Sequence, residues 1–176
     1  ERLSADRTTV HDAVAMGRYP YSSFLGGLSE QDEDCIRHAL EQTEMAHKTD
    51  CYFNELSDGE KQRTLIAKAL AQQTPFILLD EPTAHLDLPN RIKTLLLLRR
   101  LAHETKRTVL ISTHELDLAL QTADIIWLMT PHKGVEVGTP RELTASGAFQ
   151  RAFEDPHFRF EADSEGRLSI RMTDAR

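Results

Sequence analysis

The chain has 176 residues, 40% of them hydrophobic, enough to build a core as one domain or a large domain plus a lobe and against a disordered chain. A net charge of −7 without any Lys/Arg-rich block argues against nucleic acid as a partner. Cys35 and Cys51 stand alone, without CxxC or Cys/His ligand spacing, which suits a reducing cytosol and argues against a zinc site.

The first predicted element is a short helix with Thr9 as its N-cap, running through Met16 and stopped at Gly17. Pro20 then pins an aromatic turn. A Gly-rich link over residues 24–28 leads to Ser29, which caps a helix from Glu30 to about Met45 with Cys35, Ile36, Ala39 and Leu40 inward. His38 and His47 read as solvated helix residues.

The stretch from Leu56 to Asp87 holds two features that suit phosphate chemistry. Ser57 and Glu60 have capping-box spacing ahead of a helix from Lys61 to Ala71, with Leu65, Ile66, Ala69 and Leu70 on its apolar face. Ser57-x-x-Glu60 is a plain helix start on one reading. On the other, the free N–H groups and positive dipole end of that helix hold a phosphate, with Gly59 letting it approach the backbone. Downstream, Pro75 to Leu79 is an apolar run ending on Asp80 and Glu81, the pattern of a strand buried on both faces of a parallel sheet. Ligands of open α/β sheets sit at such strand ends. Adjacent side chains on a strand alternate in direction, so one carboxylate can hold a hydrated Mg²⁺ while the other addresses a water.

Pro82 to Asp87 is a tight turn into a helix that Pro89 starts and that runs to about Glu104, with Ile92, Leu95, Leu96, Leu98, Leu101 and Ala102 packing on the sheet. Asp87 reads either as that helix's N-cap or as a functional carboxylate. The leucine run from Leu95 to Leu98 is too short to span a bilayer and lies among arginines and a lysine, so membrane association requires a partner. Arg107 to Thr113 is a second buried-type strand with His114 at its end, followed by a helix from Glu115 to Gln121. Asp124 to Met129 and Gly134 to Val137 read as further strands, the second an edge. Thr139 to Glu142 starts a short helix, and the tail from Phe158 to Ile170 reads as a hairpin turning at residues 163–166.

Three segments, LSDGEKQR (Leu56–Arg63), ALAQQTPFILLDEPTAHLD (Ala69–Asp87) and ISTHELDLAL (Ile111–Leu120), resemble the signature motif, Walker B strand with D-loop, and switch histidine of ABC-transporter ATPase subunits, in that order and spacing. GRYPY (Gly17–Tyr21) and DEPTAHLD further resemble the branch serving importers of iron-siderophore, haem and cobalamin complexes. The resemblance implies an α/β P-loop NTPase fold in which residues 1–72 form the helical subdomain and residues 73–176 the C-terminal part of the RecA-like parallel-sheet core. It implies ATP and Mg²⁺ as cofactors. Asp80 is the expected metal ligand, Glu81 and His114 the catalytic pair, and Ser57, Gly59, Glu60 and Asp87 the nucleotide-binding residues. Asp58 stands where the commonest signature has a second glycine, and no direct phosphate contact is expected of it.

In such an assembly two ATPase subunits pair head to tail, so the carboxylates act on the ATP of their own subunit while Ser57 and Gly59 reach the partner's. The other implied partners are integral-membrane permease subunits, near which Arg18, Tyr19 and Tyr21 would dock, and indirectly a periplasmic or extracellular solute-binding protein. Nucleic acid is not among them. The implied location is peripheral, at the cytoplasmic face of the inner membrane. The family's phosphate loop, GxxxxGK followed by Ser or Thr, does not occur in these residues and is expected upstream, so the 176 residues alone are expected to be inactive. The rival class is a soluble, non-transport ABC ATPase, which usually carries coiled-coil inserts or two ATPase halves; neither pattern is present.

Overall fold

The computed structural model describes residues 7–21, 27–130, 134–153, 155–162 and 168–172. They form two compact units, Glu1–His114 and Glu115–Arg176. The first contains α1 (Val10–Ala15), α2 (Glu30–Gln42), α3 (Asp58–Ala71), β1 (Phe76–Asp80), α4 (Leu88–Thr105) and β2 (Thr108–Ser112). Helices α1, α2 and α3 each open on a reciprocal capping box, formed by Thr9 with Asp12, Ser29 with Asp32, and Ser57 with Glu60. Such a box satisfies two backbone donors that have no partner inside the helix. Asp87 caps α4, Pro89 occupies its first turn, and Lys106 ends it in the left-handed conformation.

One core runs through this unit. Val10 and Val14 of α1, Ile36 and Leu40 of α2, and Ile66 and Leu70 of α3 share it with Ile77, Leu98 and Leu101. Residues on both sides of positions 72 and 73 contribute to this core.

Several local expectations change for identifiable reasons. Gly17 does not stop α1; the chain continues as a 3₁₀ helix over Met16–Tyr21. The glycine is needed for closeness, since a Cβ there would run into the Lys68 carbonyl oxygen and meet the Ala71 Cβ at 3.5 Å. Helix α2 ends at Gln42 because Glu44 turns the chain at φ +62°, and the fully buried Met45 enters the core from that turn. Cys35 is only half-buried. On α3, Thr64 takes the buried position and Leu65 is exposed. On α4 the buried stripe is Thr94, Leu95, Leu97, Leu98 and Leu101, and Ile92 and Leu96 face out, because one side of a 3.6-residue helix cannot bury a continuous leucine run.

Strands β1 and β2 pair in parallel from Phe76 opposite Thr108 to Asp80 opposite Ser112. Burial on both faces, expected from the apolar run, does not hold within the described residues. Ile77, Leu79, Val109 and Ile111 pack on the core, while Phe76 and Leu78, at 64% and 73% exposure, and Leu110 lie on the other face. The period-2 alternation of a strand puts these two sets on opposite sides.

The second unit contains α5 (Leu116–Thr122), an antiparallel pair of β3 (Ile126–Thr130) and β4 (Gly134–Gly138), α6 (Pro140–Ala145), α7 (Ala148–Ala152) and an antiparallel pair of β5 (Phe158–Ala162) and β6 (Leu168–Met172). Its core gathers Leu128, Leu143, Ala148, Phe149 and Phe160, with Phe158 edge-on to Phe160 at 5.9 Å between ring centroids. Helix α6 starts on a fourth capping box, Thr139 with Glu142. Helix α7 was not expected from the sequence. Gly147, at φ +71°, redirects the chain after α6 so that Phe149 becomes fully buried. The tail pairs as the expected hairpin, though its turn at residues 163–166 lies outside the described residues, as do residues 24–26 of the Gly-rich link.

A buried ion pair ties the helices of the first unit together. Arg18 Nε donates to Asp32 Oδ1 at 2.8 Å, and Arg18 Nη1 donates to the Ala71 carbonyl at 2.8 Å. Hydrogen bonds from the Ser29 hydroxyl and amide, and then the Arg18 guanidinium, hold the Asp32 carboxyl down at about 2 against an ordinary 3.8. The stabilisation is therefore complete above 3.8 and is lost as pH falls toward about 2. Asp32→Asn should flatten this part of the pH dependence of the urea midpoint. As a packing reference, Ile36→Ala should cost about 2–5 kcal/mol at neutral pH by urea denaturation.

Candidate functional site

The register of β1 against β2 assembles the site. Asp80 and Ser112 are partners across the ladder, and the Ser112 hydroxyl donates to Asp80 Oδ1 at 2.5 Å. The same hydroxyl oxygen accepts the Glu81 backbone N–H at 3.0 Å. Ser112 thus fixes the carboxylate of one acidic residue and the backbone of the next. Glu81 sits at φ +42°, a left-handed conformation unusual for a residue with a side chain and of the kind that concentrates at functional sites. Its Oε1 lies 3.2 Å from His114 Nδ1. The imidazole is 74% exposed and the Glu81 side chain 50%, so solvent reaches both and weakens their attraction.

The turn after Glu81 is closed by Ala84 N–H on the Glu81 carbonyl (3.0 Å) and Leu86 N–H on the Thr83 carbonyl (3.2 Å), with Thr83 and Leu86 buried beneath. Asp87 Oδ1 accepts the Asn90 N–H at 3.0 Å, which makes it the cap of α4.

At the start of α3, the Ser57 hydroxyl donates to Glu60 Oε2 at 2.8 Å and accepts the Glu60 N–H at 3.4 Å. The Ser57 backbone and side-chain donors, together with Lys48 Nζ at 3.3 Å, hold the Glu60 carboxyl at about 2. Gly59 is buried against α4, where a Cβ would stand 3.0 Å from Asn90 Oδ1. A side chain there would have to displace the Asn90 amide by a few tenths of an ångström, so glycine keeps the seam between the first turns of α3 and α4 close. Asp58 faces solvent, 3.7 Å from Lys61 Nζ.

The structure therefore brings Asp80, Glu81 and His114 to one strand end, and joins the turns carrying Gly59 and Asp87 through Asn90. Ser112 was missed as a site residue, although a hydroxyl two positions before a strand-end histidine was a readable signal. Arg18, expected at a docking surface, is buried in its ion pair, with the Tyr21 ring stacked 4.3 Å from the guanidinium carbon. Tyr19 and Tyr21 remain exposed.

The ABC transporter family matches residues 2–84. An iron(3+)-hydroxamate import ATP-binding protein of Bacillus subtilis is 38% identical over 146 residues, which are 83% of this chain and 54% of that protein. The chain belongs to the ABC transporter ATP-binding family. This ABC chain spans about half the length of the curated relatives it matches, among them a petrobactin import ATP-binding protein of Bacillus anthracis, 40% identical over 77% of this chain and 50% of its own length. The ABC ATPase fold is carried by similarity to a solved transporter described as of metal-chelate type, in an inward-facing conformation. The TM-score is 0.79 at 28% identity, covering 98% of this chain and 68% of that one.

The left-handed Glu81 backbone gives a test. A glycine there relieves roughly 1–2 kcal/mol of strain, against a loss of about 0.5–1 kcal/mol through the freer unfolded chain. Glu81→Gly should leave the urea midpoint unchanged or raise it slightly, although it removes a side chain from the site.

Proposed function

We propose that the full-length protein is the ATP-hydrolysing subunit of an ABC importer for iron-siderophore or related metal-chelate complexes. The observation that carries this reading is the meeting of Asp80, Glu81 and His114 at the end of β1 and β2. The relatives' printed roles, hydroxamate and petrobactin import, support the substrate class.

Phosphoryl transfer asks mainly for positioning and charge neutralisation. Glu81 would orient or deprotonate the attacking water, and its hydrogen bond to His114 would hold the carboxylate in place. His114 would contact the γ-phosphate. Ser57, Gly59 and Glu60 would close on the ATP of a partner subunit, and Asp87 would order the turn at the interface between subunits.

The residues present fit Mg²⁺. Asp80 and Ser112 offer hard oxygen atoms at one strand end, the donor type that Mg²⁺ takes alongside waters. Asp80 would hold it, and Mg²⁺ would supply neutralisation of phosphate charge.

On this reading residues 1–72 serve as the helical subdomain and 73–176 as part of the nucleotide-binding core. The partners are a second ATPase subunit, permease subunits and, indirectly, a solute-binding protein. We place the protein at the cytoplasmic face of the inner membrane, held peripherally through its permease; no helix among the described residues is long and apolar enough to cross a membrane. Glu81→Gln in the full-length protein should abolish ATP turnover and accumulate an ATP-bound dimer, measured by phosphate release and size-exclusion chromatography. Normal turnover in that variant would refute the role given to Glu81.

A further inference from the structure

A groove between α3 and α4 encloses a cavity of about 250 Å³ whose lining includes Arg63 of α3 and Lys93 and Arg100 of α4. Lys93 and Arg100 are seven positions apart, so they project from the same side of α4, and Arg63 meets them from across the groove. The surplus of positive charge is local, since the chain as a whole carries −7.

One acid, Glu44, also lines the cavity, and it is engaged by Arg100: Nη2 lies 3.3 Å from Glu44 Oε1 while donating to the Gln42 carbonyl at 3.0 Å. Arg63 and Lys93 have no ion pair or hydrogen bond among the described residues. The Nε of Arg63 is buried without an acceptor. A buried donor without a partner costs free energy, and two unbalanced cations beside a third repel one another.

We propose that this groove binds a small phosphate-class anion, inorganic phosphate or diphosphate, held by Arg63, Lys93 and Arg100. A phosphate group offers acceptors in several directions and more than one negative charge, which suits the net positive charge of the lining and the forked guanidinium of Arg63. The volume is below the roughly 300–1,000 Å³ usual for drug-sized ligands, so a small ion suits it better than a nucleotide. A bound anion would bridge α3 to α4 beside the Gly59–Asn90 seam, and its site is separate from Asp80, Glu81 and His114.

The test is titration of the isotope-labelled 176-residue protein with inorganic phosphate and with diphosphate, followed through backbone amide shifts at constant ionic strength set with sodium chloride. Saturable shifts at Gly59, Arg63 and Lys93 are expected. Lys93→Gln, an exposed position, and Arg63→Lys, which keeps the charge and removes the fork of donors, should each weaken binding about tenfold. Three results would overturn the site: no saturable shift at these amides, equal shifts with acetate, or unchanged binding in both variants.

Discussion

Everything at the candidate site depends on the parallel register of β1 and β2. The pairing of Asp80 with Ser112 places one hydroxyl between a carboxylate and the next residue's amide, and carries His114 past the end of β2 toward Glu81. Side chains on a strand alternate, so a one-residue slip would turn Ser112 to the core face and move His114 along the ladder. The constraint is held by core packing, because Ile77 and Leu79 on one strand and Val109 and Ile111 on the other face the same cluster.

A second device repeats along the chain. Four helices begin with Ser or Thr followed three positions later by Asp or Glu, and in every case the acid is held below its ordinary protonation range chiefly by hydrogen bonds from the capping residue. At Asp12 and Glu142 this is only a helix start. At Asp32 it is joined to Arg18, and at Glu60 to Lys48, so two of the four caps also hold distant parts of the first unit together. Local capping chemistry has been extended there into tertiary structure.

Much of this was legible because it is local. The four caps, the strand ending at Asp80, Pro89 in the first turn of α4 and the antiparallel tail follow from spacing and backbone chemistry. What escaped depends on partners distant in sequence. Gly17 reads as a helix stop, but its smallness answers to Lys68. Arg18 beside two tyrosines reads as a docking residue until Asp32 is known to lie against it. Ser112 shows a hydroxyl two positions before His114, but its partner Asp80 is identified only once β1 and β2 are paired, and the leucine run of α4 cannot say which of its members face the core. The apolar face of β1 and β2 shows the reverse error, where composition implies burial that Phe76, Leu78 and Leu110 do not have among the described residues.

The capping box at Ser57 has a consequence for how any ligand is met there. A hydroxyl carries one proton, and Ser57 gives it to Glu60. Contact with a phosphate oxygen therefore exchanges one charge-assisted hydrogen bond for another, and the gain is their difference rather than the full strength of the new bond. The exchange itself is a rotation of one exposed side chain, which takes picoseconds to nanoseconds. On the proposed function, Ser57 would thus tune how tightly a nucleotide is gripped without setting the pace at which it is gripped, and Lys48, by holding Glu60, would set the depth of the well from which that rotation starts.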